Sequence, residues 1–316
     1  MKKKTLAFLF SILCVTTLKA EETSNWHGYF GMGGEVEQGK TSSPDNNGGF
    51  GKIGITLAEF SLWNTKYQGY SIWGKIVNMS MTNEDLKTNG SNGYLVEVWP
   101  TYKKAINNKS NAWIAIPFKS EQYSKGDEGE TYAGYNSFGI APGIDYNFTD
   151  SLSTWAKVYY KYDVQTSHSN GVDDNFLESE INFSYKLSEN LKFNAGYLYK
   201  VWEEKDLRHI NAKKKNMDEN VGKFSLNIGI PKYELTLTPF LEVGGYYDEF
   251  YDLETQYLGK YNERDSYKFG FYLDKKINES WKVMGELSLK KQKVDSTSET
   301  FNRDIYFGKV IVAYTF

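Results

Sequence analysis

The last thirteen residues, DIYFGKVIVAYTF (Asp304–Phe316), decide the fold class of this chain. Tyr306, Val310 and Tyr314 occupy one set of alternate positions, whereas Lys309 belongs to the intervening set. An alternation of period two predicts a β-strand with two chemically different faces. Thirteen residues are long for a strand of a soluble protein, and they match a tilted strand that crosses a bilayer. The stretch therefore predicts a membrane-spanning strand.

The same alternation recurs along the whole chain. In four further stretches, apolar and aromatic residues alternate with Lys, Glu, Asn and Ser at residues 177–187, 191–200, 267–274 and 283–290. We predict fourteen strands near 26–38, 48–60, 67–79, 92–103, 110–121, 133–148, 152–165, 175–187, 191–203, 220–230, 233–247, 265–277, 281–292 and 303–316. An even number of strands closes a barrel with both termini on one side, and closure leaves no unpaired backbone facing lipid. The fold prediction is all-β, a closed antiparallel up-and-down transmembrane β-barrel of about 14 strands, with periplasmic termini.

The lengths of the connections support this arrangement. Short turns are predicted at 64–66, 107–109, 149–151, 188–190, 231–232 and 278–280. They alternate with longer charged segments, predicted to be loops, at 39–47, 80–91, 122–132, 166–174, 204–219, 248–264 and 293–302. Short periplasmic turns and longer external loops are the rule in the outer membrane of bacteria.

The first twenty residues have the layout of a secretory signal peptide. Lys2, Lys3 and Lys4 precede an apolar stretch that ends near Ala20, a small residue at the predicted cleavage site. The chain is thus divided into a signal peptide, 1–20, and a barrel domain, 21–316. The only cysteine, Cys14, lies in the signal peptide. Removing four lysines changes the formal charge from −3 to about −7, which argues against nucleic-acid binding.

The strand register predicts which side chains face the interior. The inferred pore-lining residues are Glu35, Glu37, Lys52, Lys75, Glu97, Lys157, Lys161, Glu178, Glu180, Lys223, Glu242, Lys268, Glu286, Lys290 and Lys309. Burying so many charges in a dry core is costly, so a hydrated lumen is expected. Because both signs are mixed, strong ion selectivity is not expected. Four interior aromatics, Trp73, Trp99, Trp155 and Tyr159, could stack on sugar rings or simply pack against the barrel wall.

Several short motifs resemble outer membrane porin G. They are NWH at 25–27, GM at 31–32, EVE at 35–37, IAPGIDY at 140–146, TDSL at 149–152, LTPF at 237–240 and the ending 306–316. The resemblance implies a monomeric fourteen-stranded channel for sugars, small oligosaccharides and ions. It also implies that the terminal Phe316 belongs to the signal read by the barrel-assembly machinery. That family is associated with gating by histidines near the mouth, but His27, His168 and His209 are predicted to lie apart, so such gating is in doubt.

Catalysis and cofactor binding are not predicted. GFGKIG at 49–54 matches a dinucleotide fingerprint as a string, but it lacks the required strand and helix context. His27 is the only histidine on a predicted strand, and no nucleophile accompanies it. The carboxylate pairs Glu35/Glu37 and Glu178/Glu180 could do acid–base chemistry, but on a lumen wall they are more often polar lining.

The predicted function is therefore that of an outer-membrane porin for passive diffusion of small hydrophilic solutes. Two alternatives remain open: a channel selective for acidic oligosaccharides, and a closed structural or adhesive barrel. Only three arginines occur, which weakens the first of these. The expected partners are outer-membrane lipid and lipopolysaccharide, whose phosphates the acidic loops could bridge through cations.

Overall fold

The computed structural model describes residues 26–42, 50–64, 69–81, 92–124, 131–165, 174–207, 212–252, 256–296 and 300–316. The predicted signal peptide lies outside these residues. The strands are β1 Trp26–Thr41, β2 Phe50–Asn64, β3 Tyr70–Met81, β4 Asn92–Ala105, β5 Ser110–Ala115, β6 Phe118–Ser124, β7 Thr131–Asn147, β8 Leu152–Gln165, β9 Asp174–Ser188, β10 Leu191–Leu207, β11 Ala212–Ile230, β12 Leu235–Asp252, β13 Gln256–Lys276, β14 Trp281–Ser296 and β15 Thr300–Thr315. Among the described residues, no helix is both long and apolar enough to span a membrane.

The strands form one closed antiparallel barrel. β5 and β6 both pair with β4 and with β7, so together they fill one position and the barrel has fourteen. β1 and β15 pair over thirteen residues and close the ring. At the seam, the Gly28 amide donates to the Phe316 carbonyl at 3.0 Å, and the Phe316 amide donates back at 3.1 Å. The predicted fold class is confirmed.

The strand predicted over 110–121 is in fact two segments. Pro117 has no backbone N–H and so cannot donate to a neighbouring strand. The Ile116 amide still donates to the Pro100 carbonyl at 3.0 Å, and the Pro117 carbonyl accepts from Gly139 at 3.0 Å. The barrel wall therefore continues through this irregularity without losing a strand position.

Tight turns join the strands at one end of the barrel. The structure shows them near 106–109, 148–151, 189–190, 231–233 and 277–280, as predicted. Most of the turn predicted at 64–66 lies outside the described residues. In the turn at 277–280, the Asn278 carboxamide oxygen accepts from the amides of Ser280 and Trp281, both at 2.9 Å. Such a side chain replaces a backbone acceptor in a turn, which explains why asparagine is favoured there.

Three of the predicted long loops are wrong. The strands continue through most of 204–219, 248–264 and 293–302. Only residues 208–211 separate β10 from β11, only 253–255 separate β12 from β13, and only 297–299 separate β14 from β15. Beyond the bilayer, water bathes both faces of a strand, so both faces can be polar while the backbone ladder persists. Alternation of hydrophobicity therefore ends before the strand does.

The outer face of the barrel is apolar. Ile55, Leu287 and Val310 are each 55% exposed on this face, although they are large hydrophobic side chains. Outward-facing aromatic pairs lie near the short turns, with ring centroids 4.8 Å apart for Tyr70–Tyr102 and 5.4 Å apart for Trp281–Tyr314. An apolar band with aromatic residues at its edge is the surface that a bilayer covers. The protein is an outer-membrane β-barrel.

Candidate channel lumen

All fifteen residues predicted to line the interior lie on the inner face of the barrel. Glu35, for example, lies opposite Lys309 on one neighbouring strand, while the adjacent Val36 faces outward and is 51% exposed. Inner position follows from parity, because successive side chains of a strand point to opposite faces. That these residues line a conducting pore stays a prediction.

A network of ion pairs connects three strands on the inner face. The Lys157 Nζ lies 2.8 Å from a Glu178 carboxylate oxygen and 3.2 Å from one of Glu180. The other oxygen of Glu180 accepts from Lys223 Nζ at 2.5 Å. Lys223 reaches Glu180 across β10 at Gly196, its cross-strand neighbour, which has no side chain to obstruct the contact. The network thus joins β8, β9 and β11 over a glycine of β10.

Other inner charges are also paired. The N–O distances are 3.0 Å for Lys268–Glu286, 3.0 Å for Lys200–Glu219, 2.8 Å for Lys119–Glu121, 2.5 Å for Lys161–Asp163 and 3.9 Å for Lys75–Glu97, and Lys309 also pairs with Glu59. The paired side chains are 9–29% exposed where they lie on the inner face. They are therefore held close to the wall.

Sequence reasoning missed some of these inner charges. Glu59 has the opposite parity to Lys52 on the same strand, so a regular strand would turn it outward. A β-bulge between Thr56 and Ala58 shifts the register by one residue and turns Glu59 inward. Asp163, by contrast, has the same parity as Lys161, and the alternation alone could have identified it.

A band of five aromatic rings lies along the inner face. The centroid distances are 5.1 Å for Trp99–Tyr159, 6.0 Å for Tyr159–Phe176, 6.0 Å for Phe176–Trp202 and 5.5 Å for Trp202–Tyr246. These five residues, the aromatic band, extend from β4 to β12. Only Trp99 and Tyr159 were singled out from the sequence, since the other three join them through contacts between distant strands.

Two lysines and one glycine border the aromatic band. Lys157 Nζ lies 5.8 Å from the Trp99 ring centroid, and Lys161 Nζ lies 4.8 Å from that of Phe176. A Cβ added to Gly139 would lie 2.5 Å from Tyr159 Cε2, so this ring occupies space that only glycine leaves free. The other two aromatics singled out from the sequence also face inward, Trp73 opposite Trp99 and Trp155 opposite Asp145.

A cavity of about 530 Å³ lies inside the barrel and is lined by β1 and β10–β15. Its lining contains four acidic and four basic side chains: Glu37, Glu219, Glu242, Glu286, Lys200, Lys223, Lys268 and Lys290. We call it the charged chamber. Its formal charges cancel, so it presents both signs without a net excess of either.

The single described histidine lies away from these features. His27 is exposed on β1 near the short-turn end, with its ring centroid 6.4 Å from that of Trp63. His168 and His209 lie outside the described residues, so their predicted separation is not tested. Among the residues that the structure describes, no three His, Cys, Asp or Glu side chains are grouped to hold a metal ion.

Comparison with known proteins identifies the fold. No family model matches the chain, and no curated protein is significantly similar to it. Several solved structures do match. A mutant of the TodX monoaromatic hydrocarbon channel is 8% identical, with a TM-score of 0.55 and coverage of 92% of this chain and 90% of that one. The CymD monoaromatic hydrocarbon channel is 9% identical, with a TM-score of 0.51 and coverage of 93% and 89%. The Pseudomonas putida toluene transporter TodX is 9% identical, with a TM-score of 0.50 and coverage of 92% and 89%.

At such low identity, the likeness shows a shared barrel fold. It does not support the porin G family in particular.

Proposed function

We propose that this protein is a transport channel through which small hydrophilic solutes, such as sugars, small oligosaccharides and ions, diffuse down their gradients. The observation that carries the proposal is the charged chamber, whose eight ionisable side chains converge inside a barrel with an apolar exterior. Charges in such numbers are stable only where water or opposite charges compensate them. A solute that replaces this water meets donors and acceptors throughout the chamber.

The balance of charge predicts weak ion selectivity. A strongly selective pore needs rings of side chains of a single sign. Here four lysines and four glutamates share the charged chamber. The same balance offers no net attraction for an acidic oligosaccharide, so we place that alternative below general diffusion.

A second candidate function is passage of hydrophobic compounds. The aromatic band favours it, because five rings in near contact offer an apolar surface inside the barrel. Two of the similar structures are described as monoaromatic hydrocarbon channels, which share the fold. The lysines over Trp99 and Phe176 make this surface less apolar than the rings alone would be.

Liposome swelling separates these functions. Refolded protein in vesicles should admit a small sugar such as arabinose faster than a trisaccharide, and protein-free vesicles should admit neither. Saturable binding of radiolabelled toluene to the refolded protein, without sugar entry into the vesicles, would support the hydrophobic route instead. If no solute enters, the closed structural or adhesive barrel is the better reading.

The proposal includes the setting of the channel. We propose a monomer that lies among outer-membrane lipid and lipopolysaccharide. Phe316, whose backbone closes the seam with Gly28, would also present the terminal aromatic to the assembly machinery. Crosslinking of the native membrane followed by electrophoresis would report the monomer, or a larger species that contradicts it.

A further inference from the structure

Glu242 is an inner carboxylate whose neighbouring lysines pair elsewhere. It lies directly opposite Lys223 on β11 and Lys268 on β13. Lys223 nevertheless pairs with Glu180 at 2.5 Å, and Lys268 pairs with Glu286 at 3.0 Å. Within the described part of the chain, no cation lies within ion-pair distance of Glu242.

Lys290 is an inner lysine that has no carboxylate at ion-pair distance among the described residues. It lies directly opposite Lys268, a cross-strand pair of like charges, which is destabilising in a sheet. The neighbouring Lys291 faces outward and is exposed, so the inner position of Lys290 follows from its register.

These two groups, neither of which has an ion-pair partner among the described residues, border the same space. Glu242 and Lys290 both line the charged chamber, from β12 and β14, with β13 between them. Two strand spacings put their backbones about 10 Å apart. Both side chains are long and flexible, so their charged ends can approach a small solute from two sides. The other six charges of the chamber include the pairs Lys200–Glu219 and Lys268–Glu286.

We propose that the charged chamber binds zwitterionic solutes, namely free α-amino acids and short peptides. Lys290 would bind the carboxylate of the solute, and Glu242 would bind its ammonium group. Charge-assisted hydrogen bonds of both signs would be formed at once, while a solute with one charge would satisfy only one group. This inference rests on the proposed function, since the solute must enter the lumen.

The test compares two isomers, glycine and glycolamide, which have the same atoms but differ in charge. In liposome swelling at low solute concentration, glycine should enter wild-type vesicles about threefold faster than glycolamide or more. Glu242→Gln and Lys290→Gln should each lower the ratio of the glycine rate to the glycolamide rate to about one. Lys291→Gln, which alters the same charge on the outer face, is the matched control and should keep the preference.

Each outcome has a separate meaning. Glycolamide entry above the rate of protein-free vesicles shows that a variant barrel is folded and open. Equal entry of the two isomers into wild-type vesicles, or a preference that survives both substitutions, would overturn the zwitterion site and leave the channel standing. Entry of neither isomer would overturn the channel itself. N-acetylglycine and glycinamide, which each lack one charge, test the site without any substitution, and both should lose the advantage of glycine.

Discussion

Replacing Lys157 by methionine removes a cation that two inner carboxylates share. The lysine side chain is 17% exposed, and Glu178 and Glu180 are 12% and 9% exposed. Removing one partner of a buried ion pair costs about 3–5 kcal/mol, because the remaining charge is left without compensation. Since Glu180 keeps Lys223, we expect the lower end of this range, about 3 kcal/mol. Methionine keeps most of the apolar stem, so lost packing contributes little.

The assay is equilibrium unfolding by urea of the protein inserted in phospholipid vesicles, followed by tryptophan fluorescence. The matched control is Lys293→Met, which removes an ion pair of similar length, 3.2 Å to Asp295. Its side chains are 56% and 38% exposed, so we expect a loss of less than about 1 kcal/mol. Adding Glu178→Gln to the Lys157 variant should restore part of the stability.

A small effect would refute the reasoning. If Lys157→Met and Lys293→Met lowered the free energy of unfolding equally, by less than about 1 kcal/mol, the inner charges would be screened by water as surface charges are. The network of ion pairs would then add no more to the free energy of unfolding than surface ion pairs do. If adding Glu178→Gln to the Lys157 variant did not restore stability, an uncompensated carboxylate would not be the cause of the loss.

Three further results are expected. Gly33→Val should prevent closure of the barrel, because a Cβ at this position would lie 1.9 Å from the Val310 carbonyl oxygen. The measurement is loss of the faster-migrating folded band in unheated gels. Gly34→Ala, whose Cβ would lie 3.5 Å from the nearest atom, is the control and should fold normally. Val310→Lys should destabilise the inserted protein by about 2–4 kcal/mol in the same urea assay, since this side chain faces lipid, and a neutral effect would argue against the membrane-facing assignment. In planar bilayers with a KCl gradient, the reversal potential should stay close to zero because the charged chamber is balanced; a potential near the limit for either ion would contradict this.

The site could be predicted from the sequence only in part. Parity was enough to place Lys309 inside and Val310 outside, because each choice depends on a local contrast between lipid and water. It failed for Glu59, since a bulge between Thr56 and Ala58 reverses parity and leaves no clear mark in the sequence. It also ended the strands too early, because hydration of both faces outside the bilayer hides the alternation while the hydrogen bonds continue.

The sequence by itself determined the closed barrel, the lipid-facing side of the regular strands and the charged character of the interior, because alternation is a local property of the chain. Only the tertiary structure decided which charges meet and which do not. Lys223 forms its ion pair with Glu180, across Gly196, and not with its cross-strand neighbour Glu242. This pairing depends on the register of three strands. Such pairing is set by the distances between residues far apart in the chain, and no local pattern records it.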